Sequence, residues 1–329
     1  MPIRQQPGSR PHRDKRDLLS IMDLSITDMK ELYDVAFRLK QAWSERRSTP
    51  VLHGCTLAMI FEKASLRTRS TFEIGIRQLG GHSIDLSNLN IGMGTRESVE
   101  DIARNLDRWC DIIMIRTFGQ ERAEVVARET DAPVINALTD LEHPCQALGD
   151  FMALMTLEQS RDLKGFPIAY VGDGNNVCHS LMALAALLGM DMRVAAPVGF
   201  EPRADYIHWS EDIARHTGAK ITVTNEPHEA VAGVRAVYTD IWASMGQEHE
   251  RVERERAFRP FQVNSALMAG AAKGAYAMHD LPARRGEEIT NDVIDGNTSI
   301  VYLQAEHRLH IQKGIMAWLA EKSGVQPYG

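Results

Sequence analysis

The sequence predicts an α/β protein with two doubly wound domains, mostly parallel sheets and a helix that bridges them. Three observations predict this class. Strand-like and helix-like segments alternate in two series, a long helical segment separates the series, and 329 residues exceed the roughly 250 to 300 at which single cores stop growing. Alternation of this kind is typical of parallel sheets that are covered on both faces.

The first series opens with a helix predicted over residues 25–43. Ser25 and Asp28 form a capping pattern, and the apolar residues that follow recur at helical spacing on one face. Alternating strands and helices are then predicted at TLAMIF, STFEIGIRQLG, HSIDL, SVEDIARNLDRW, IIMIRT, QERAEVVARE and PVINAL. The segment TDLEHPCQALGDFMALMTLEQ predicts the long amphipathic bridging helix.

The second series contains PIAYVGD, SLMALAALLG, DMRVAAP, EDIARHTG, KITVTN, HEAVAG, AVYTDIW and GAYAMHD. It closes with SIVYLQAEHRLHIQKGIMAWLAEK, an amphipathic pattern with no strand after it. We therefore expect a flexible tail at 1–16, one domain at 17–145 and a second at 146–302, with the helix at about 303–322 packing back on the first domain.

Composition excludes several classes of protein. A net charge of -7 provides no general basic field for nucleic acid. The chain contains no apolar run of the roughly 18 residues that a membrane span requires, and its first residues lack the apolar stretch of a secretory signal. Four scattered cysteines form no C-x-x-C pair, which argues against a disulfide framework or a zinc knuckle and favours the cytoplasm: Cys55, Cys110, Cys145 and Cys178.

The segment SLRTR stands between a predicted strand and a predicted helix. A helix N-terminus carries unpaired N–H groups and partial positive charge, to which Ser65, Thr68, Arg67 and Arg69 add hydroxyls and two guanidiniums. This combination predicts a phosphate site. A Ser-capped helix with solvated arginines is the structural alternative.

Further donors follow neighbouring strands. Arg116 and Thr117 end the IIMIRT segment, and His143 and Gln146 lie three apart at the predicted start of the bridging helix, on one face. Together with Arg308 they form a set of cationic and neutral donors. Such a set suits an activated phosphate ester whose carbonyl oxygen is polarised, although a histidine at a helix start can also be a cap or core residue.

The second series carries different chemistry. YVGDGNN lacks the third glycine of a dinucleotide loop, and the next strand has no acid at its end for a ribose, so we expect no nicotinamide cofactor. Asn175 and Asn176 offer amides, and the loop with Asp240, Ser244 and Met245 offers a carboxylate, a hydroxyl and backbone groups. These groups suit the ammonium and carboxylate of an amino acid, with a polar loop and a capping Asp as the structural alternative.

Seven motifs together resemble the aspartate/ornithine carbamoyltransferase family, and more closely its ornithine branch. They are SLRTR, IRTFG, HPCQAL, GDGNN, DIWASMG, HDLP and AEHR, in the family's order from about residue 17 onwards. The resemblance implies transfer of the carbamoyl group of carbamoyl phosphate to the side-chain amine of L-ornithine, giving L-citrulline and phosphate, in arginine biosynthesis. It implies no metal and no cofactor.

The resemblance also implies roles for individual residues. The first domain would bind carbamoyl phosphate and the second the amino acid. The carbamoyl-phosphate ligands would be Ser65, Leu66, Arg67, Thr68, Arg116, His143, Gln146, Leu281 and Arg308. The amino-acid ligands would be Asn176, Asp240, Ser244 and Met245, and Arg116 and His143 would be catalytic. We expect Asp280 of HDLP to be a third catalytic residue. Family members are typically homotrimers or multiples of trimers, in which a neighbouring subunit would lend the loop around NIGMGTRES.

HDLP is the main departure from the resemblance, because ornithine enzymes usually read HCLP. Asp280 would stabilise the ammonium form of the amine, yet it could also accept its proton as a base or select a different amine. We expect no metal site there, because spacing places no third ligand beside His279 and Asp280. Two alternatives stay open: a carbamoyltransferase for another amino acid with a side-chain amine, and a catalytically silent paralogue.

Overall fold

The computed structural model describes residues 15–87, 92–243 and 251–328. The chain divides into two compact units: unit 1 comprises Met1–Cys145 and Leu309–Gly329, and unit 2 comprises Gln146–Arg308. Each unit contains one sheet whose strands all pair in parallel. The predicted α/β class with two mostly parallel sheets is confirmed.

Unit 1 holds a four-stranded sheet in the order β2-β1-β3-β4. Its strands are β1 Thr56–Phe61, β2 His82–Ser87, β3 Ile112–Arg116 and β4 Val134–Leu138. Its helices are α1 Ile26–Ser44, α2 Arg67–Gln78, α3 Val99–Trp109 and α4 Gln120–Arg128, preceded by a 3-10 turn at Ile21–Asp23. Every strand of unit 1 that the sequence predicted is present, and α2 begins three residues before the predicted segment.

The start of α1 follows directly from its sequence. Ser25 Oγ accepts a hydrogen bond from the Asp28 N–H, and the Asp28 carboxylate accepts one from the Ser25 N–H. These two bonds satisfy donors that a helix start otherwise leaves unpaired. The predicted apolar face is buried, and it comprises Met29, Leu32, Tyr33, Ala36 and Leu39.

Unit 2 holds a five-stranded sheet in the order β7-β6-β5-β8-β9. Its strands are β5 Pro167–Val171, β6 Asp191–Ala195, β7 Lys220–Thr224, β8 Ala236–Thr239 and β9 Tyr276–His279. Its longer helices are α6 Asn176–Leu187 and α7 Ala204–Thr217. The shorter ones are α8 Pro227–Val231, α9 Arg251–Phe258, α10 Ser265–Met268 and α11 Asn291–Ile294, with a 3-10 turn at Arg259–Phe261. Helices α9, α10 and α11 were not predicted, because they are too short to show an apolar period.

Two helices cross the boundary between the units along the chain: α5 Pro144–Leu157 and α12 Val301–Lys322. Both were predicted to be amphipathic. This expectation is wrong for α5, whose residues 144–155 are buried on every face and need no polar stripe. In α12 the first turns keep an exposed face with Tyr302 and Glu306, whereas residues 310–316 are buried without interruption. Among the described residues, none of the helices combines the length and apolar character that a bilayer crossing requires.

Candidate active site

The first candidate residues lie at the N-terminus of α2 in unit 1. Ser65 Oγ accepts a 3.2 Å hydrogen bond from the Thr68 N–H, so the serine capping that the sequence left open is present. Leu66 is the N-cap residue and makes no side-chain capping bond, so it can contribute only backbone groups to a ligand. The start of this twelve-residue helix concentrates N–H donors and positive potential, which suits an anion.

Of the two arginines expected near a phosphate at the start of α2, Arg69 has another partner. The guanidinium of Arg69 pairs with Asp85 of the neighbouring strand β2 and lies 4.3 Å from the centre of the Phe61 ring. Arg69 therefore holds the helix against the sheet, and Arg67, half-buried in the first turn of α2, is the remaining candidate for the phosphate.

Arg116 reaches the same helix start from the neighbouring strand. It ends β3, in register with Phe61 at the end of β1, and its Nη1 donates a 3.2 Å hydrogen bond to Thr68 Oγ1. Parallel strands carry their carboxyl ends to one edge of the sheet, and ligands of such sheets bind at that edge. Thr117, which follows Arg116, does not reach this helix start. Its side chain is fully buried and its hydroxyl donates a hydrogen bond to Glu62.

His143 follows β4, the next strand in the sheet. It is 2% exposed and precedes α5, which begins at Pro144. His143 therefore flanks the helix instead of belonging to it, and it stands at the N-cap position, three residues before Gln146. The preceding Glu142 accepts a 3.0 Å hydrogen bond from the Ile21 N–H, which fixes the backbone next to the imidazole.

Unit 2 contains a buried polar network around Gln146. Gln146 Oε1 accepts a hydrogen bond from Arg308 Nη1, and its Nε2 donates to Asp150 Oδ1 at 2.8 Å. Asp150 also accepts from Gln304 Nε2 at 2.9 Å and from the Tyr238 hydroxyl at 2.8 Å. All five side chains are buried, so each bond acts in a medium where an unpaired group would be costly.

Asp150 was missed by the sequence analysis. Burial raises the pKa of its carboxyl to about 7, against hydrogen bonds from Gln304, Tyr238 and Gln146 that lower it. Its position four residues after Gln146 on one helix was the available signal, because residues at that spacing are neighbours.

The two asparagines of the GDGNN loop have different structural positions. Asn175 caps α6, with Oδ1 accepting from the N–H groups of Val177 and Cys178, and its Nδ2 donates a 2.7 Å bond to Asp240 Oδ2. Asn176 is the first residue of α6 and is half-buried. The loop needs Gly174, because a Cβ there would lie 2.2 Å from the Pro202 nitrogen.

Asp240 and Asp280 form a hydrogen-bonded carboxyl pair at the ends of the adjacent strands β8 and β9. Burial raises the pKa of Asp240 well above its usual range, and the charge of Asp280 and the bond to it raise it further, against lowering by His279 and Asn175. Both oxygens of Asp240 already accept hydrogen bonds, Oδ1 from the Ile241 N–H at 2.7 Å and Oδ2 from Asn175. Asp240 is buried, whereas Asp280 is half-buried.

His279 is fully buried beside this pair. Its Nε2 lies 3.0 Å from Glu288 Oε1 and its Nδ1 3.2 Å from Asp280 Oδ1. Burial lowers the pKa of His279, but hydrogen bonding with Asp280 and Glu288 outweighs burial and raises the pKa to about 10. The Leu281 N–H points at Nδ1 from 2.9 Å, so Nε2, facing Glu288, holds a proton in either charge state.

The HDLP segment is therefore more than a polar turn, because His279 contacts Glu288 and Asp280 contacts Asp240. Leu281 adopts a left-handed conformation with φ 60°, which directs its N–H back to the imidazole. Glu288 was not predicted, and it also accepts a 2.6 Å hydrogen bond from the Arg284 N–H.

The fold supplies a third potential ligand that spacing did not. Ligand atoms of Asp240, His279 and Asp280 all lie within 4.8 Å of one another. Their hydrogen bonds to one another, to Asn175 and to Leu281 account for this proximity, so we interpret the group as a carboxyl pair with its supporting histidine. Ser244 and Met245 lie outside the described residues, as does part of the NIGMGTRES loop.

Comparison with known proteins identifies the family. Residues 16–156 match the carbamoyl-P binding domain of aspartate/ornithine carbamoyltransferase, and residues 164–319 match its Asp/Orn binding domain. An ornithine carbamoyltransferase of Halalkalibacterium halodurans is 48% identical over 304 residues, covering 92% of this chain and 95% of that protein. One of Bacillus subtilis is 46% identical over 301 residues, covering 92% of each.

Solved structures agree. The ornithine carbamoyltransferase of Pyrococcus furiosus superposes with a TM-score of 0.90 at 42% identity, covering 94% of this chain and 98% of that one. The anabolic enzyme of Campylobacter jejuni gives 0.88 at 32% identity, covering 93% and 99%. The resemblance inferred from seven motifs is confirmed, and the chain belongs to the aspartate/ornithine carbamoyltransferase family.

Proposed function

We propose that this chain is an ornithine carbamoyltransferase, which transfers the carbamoyl group of carbamoyl phosphate to the side-chain amine of L-ornithine. The observation that carries the proposal is the hydrogen bond between Arg116 and Thr68, which joins the end of β3 to the first turn of α2. The names of the relatives support ornithine as the acceptor and do not favour a different amine.

Carbamoyl phosphate brings a dianionic phosphate and a carbonyl group. The N-terminus of α2 provides donors and positive potential for the phosphate oxygens, and Arg67 provides full charge. By the family resemblance we assign to this substrate Ser65, Leu66, Arg67, Thr68, Arg116, His143, Gln146, Leu281 and Arg308.

The barrier to transfer lies in the charge that develops on the carbonyl oxygen. Attack by the amine converts the carbonyl to a tetrahedral oxyanion, which the side chains of Thr68, Arg116 and His143 are proposed to stabilise. A well-aimed donor of this kind typically contributes about 3 to 4 kcal/mol. We therefore assign Arg116 and His143 as catalytic residues.

The amino acid is proposed to bind to unit 2. Its ammonium and carboxylate call for acceptors and donors, and the assigned residues offer both: Asn176, Asp240, Ser244 and Met245. The 2.7 Å bond from Asn175 orients the Asp240 carboxyl, which supports its use as a fixed acceptor.

The attacking amine must lose a proton before it can react. An ornithine side chain has a pKa of about 10.4 and arrives as an ammonium at neutral pH. We propose that Asp280 accepts this proton, because both oxygens of Asp240 already accept hydrogen bonds from Ile241 and Asn175, whereas Asp280 is less buried than Asp240.

The step balances without another reactant. The ammonium gives one proton to Asp280, and the nitrogen lone pair forms a bond to the carbonyl carbon. The carbon–oxygen bond to the phosphate breaks with its electrons going to the phosphate oxygen, which takes a second proton from the same nitrogen. The products are citrulline, hydrogen phosphate and a protonated Asp280, which then releases its proton to solvent.

We also propose the domain roles and the setting that the resemblance implies. Residues 17–145, with the C-terminal helix, would bind carbamoyl phosphate, and residues 146–302 would bind the amino acid. The enzyme would act as a homotrimer in the cytoplasm, in arginine biosynthesis. The four cysteines are buried and no disulfide joins them, which suits a reducing compartment.

The test is formation of a ureido product from carbamoyl phosphate with ornithine, lysine, shorter diamino acids, putrescine, N-acetylornithine and aspartate in parallel. We expect rapid citrulline formation with ornithine and little product with the others. Preference for another amine would overturn the choice of substrate. Binding of carbamoyl phosphate without turnover of any amine would overturn the assignment as an enzyme.

A further inference from the structure

Unit 1 buries a lysine to which its described residues supply no carboxylate partner. Lys313 lies in α12 and is 1% exposed, although lysine is almost never fully buried unless it is paired. Its Nζ donates one hydrogen bond, of 2.9 Å, to the neutral side-chain oxygen of Gln78. Across the described part of the chain, no acidic side chain lies within ion-pairing distance of this ammonium.

The packing of α12 against α2 explains why Lys313 is buried. The stem of Lys313 runs beneath α2 at Gly75, where an added Cβ would lie 3.2 Å from Lys313 Cγ and 3.1 Å from Met316 Cε. Gly75 therefore leaves room for the stem, and Gln78, one turn later on α2, receives the ammonium. An ammonium has three donors, and the described residues occupy one of them.

The lysine borders a cavity of about 580 Å³ formed with the C-terminal end of α1 and the loop after it. That loop contributes Arg46 and Arg47, and Trp43 forms an apolar wall. The Glu45 carboxylate lies 2.5 Å from Arg47 Nε and so neutralises one of the three cations. The cavity therefore carries an excess of positive charge.

This charge is local, because the whole chain is acidic. Burial lowers the pKa of Lys313 to about 8, and burial is the sole cause of the shift, as expected for an ammonium that no anion stabilises. The other titratable or charged groups at the site are Glu45, Arg46, Arg47 and His310, whose ring packs against Trp43 at 5.0 Å. None of these residues belongs to the proposed catalytic set.

We propose that this cavity is an anion-binding site, in which Lys313 and Arg46 bind the oxyanion group of a small metabolite and Trp43 covers its apolar part. Phosphate and carboxylate share the chemistry that such a site recognises, which is acceptor oxygens with negative charge. An anion would occupy the remaining donors of Lys313 and supply the counter-charge that the fold does not.

Binding at this site has a distinctive signature, because an anion raises the pKa of the lysine it touches. At pH 8 about half of the Lys313 side chains are neutral before binding, so binding should take up about half a proton per site. At pH 6 the uptake should vanish. Between pH 7 and pH 9 the affinity should fall about tenfold, as the charged fraction falls.

The experiment is calorimetric titration of the full-length chain with inorganic phosphate, and separately with citrate, in buffers of different ionisation heat. Arg67→Ala serves as the background, so that binding of phosphate at α2 does not obscure the signal. The test variants are Lys313→Met and Lys313→Gln in that background, and the matched control is Arg77→Gln, an exposed arginine on α2. Whichever anion binds identifies the group that the site prefers.

We expect one binding event with proton uptake at pH 8, reduced at least tenfold by either Lys313 variant and unchanged by the control. Light scattering and urea unfolding accompany the titrations.

The proposal would be overturned if neither anion bound in a way that depends on Lys313. A change of assembly in the variants without anion binding would also overturn it, because another copy of the chain would then supply the counter-charge. Lys313→Met should fold at least as stably as the parent, since it removes an uncompensated buried charge; a marked loss of stability would show that the ammonium is already satisfied internally.

Discussion

The side-chain amide of Gln146 donates a 2.8 Å hydrogen bond to Oδ1 of Asp150, and this bond sets which end of the amide faces Arg308. Because the acid engages Nε2, Oε1 is the atom that accepts from the guanidinium. Gln304 and Tyr238 donate to the same carboxyl group and hold it in place. Asp150 is therefore a positioning residue for two side chains that we assign to carbamoyl phosphate.

Asp150→Asn should remove a pH dependence of stability. The folded-state pKa of Asp150, about 7, lies above its ordinary value of 3.8, so its proton favours folding. This contribution is complete below about pH 4 and is lost as pH rises through 7, at a cost of about 4 kcal/mol. Asparagine mimics the protonated acid, so urea unfolding should show the wild type losing stability relative to the variant over that range. Asp212→Asn, at an exposed site, is the control, and parallel curves for Asp150→Asn and wild type would contradict the prediction.

Arg67→Ala should lower kcat/KM for carbamoyl phosphate by about a hundredfold or more. The variant removes a full charge from the start of α2, where the phosphate is proposed to bind. Initial rates at varied carbamoyl phosphate provide the measurement. Arg77→Ala changes an arginine on the same helix that pairs with Glu73 on the surface, and its rates should stay within about twofold of wild type. Near-normal activity of Arg67→Ala would remove the phosphate assignment.

Asp280→Asn should lower kcat with ornithine by about 10² to 10⁴, the usual range for removal of a general base. The remaining activity should rise with pH up to about 10, because solvent must then deprotonate the amine. Asp280→Cys should also lose activity with ornithine if the carboxylate serves this reaction. A gain with ornithine in the cysteine variant would instead make Asp280 a residue that selects another amine. Asp295→Asn, at an exposed ion pair with Arg285, is the matched control.

Arg254→Met should destabilise unit 2 and weaken amino-acid binding. Arg254 is 7% exposed, and its Nη1 donates 2.9 Å hydrogen bonds to Asp173 Oδ2 and to the Trp242 carbonyl. Its loss removes the guanidinium that pairs with the buried Asp173 carboxylate, at a cost of about 3 to 5 kcal/mol. Because Trp242 follows Asp240 by two residues, KM for ornithine should rise more than KM for carbamoyl phosphate.

Urea unfolding and steady-state kinetics test this prediction together. Arg256→Met, on the exposed side of the same helix, should change neither stability nor KM appreciably. Equal effects of the two variants would show that the Asp173 pair contributes nothing specific.

The sequence alone determined the order of strands and longer helices, the two-domain α/β class and the family. These features depend on local periodicity, capping and short motifs, and each of these signals involves residues that are close together in the sequence. The capping box of Ser25 and Asp28 and the strand TLAMIF were predicted in this way and are present as expected. The sequence also predicted that Arg116 ends a strand, and the structure brings this residue to Thr68 in the first turn of α2.

Only the tertiary structure decided which side chains meet across long separations in the chain. The pairing of Asp240 with Asp280 requires β8 and β9 to be neighbours, and the pairing of Arg69 with Asp85 requires β2 beside β1. Burial is likewise a property of the assembled fold: it raises the pKa of Asp150 and lowers that of Lys313, to which the described residues supply no carboxylate. No local pattern reports these relationships, because each depends on the distance between segments that the chain brings together only when it is folded.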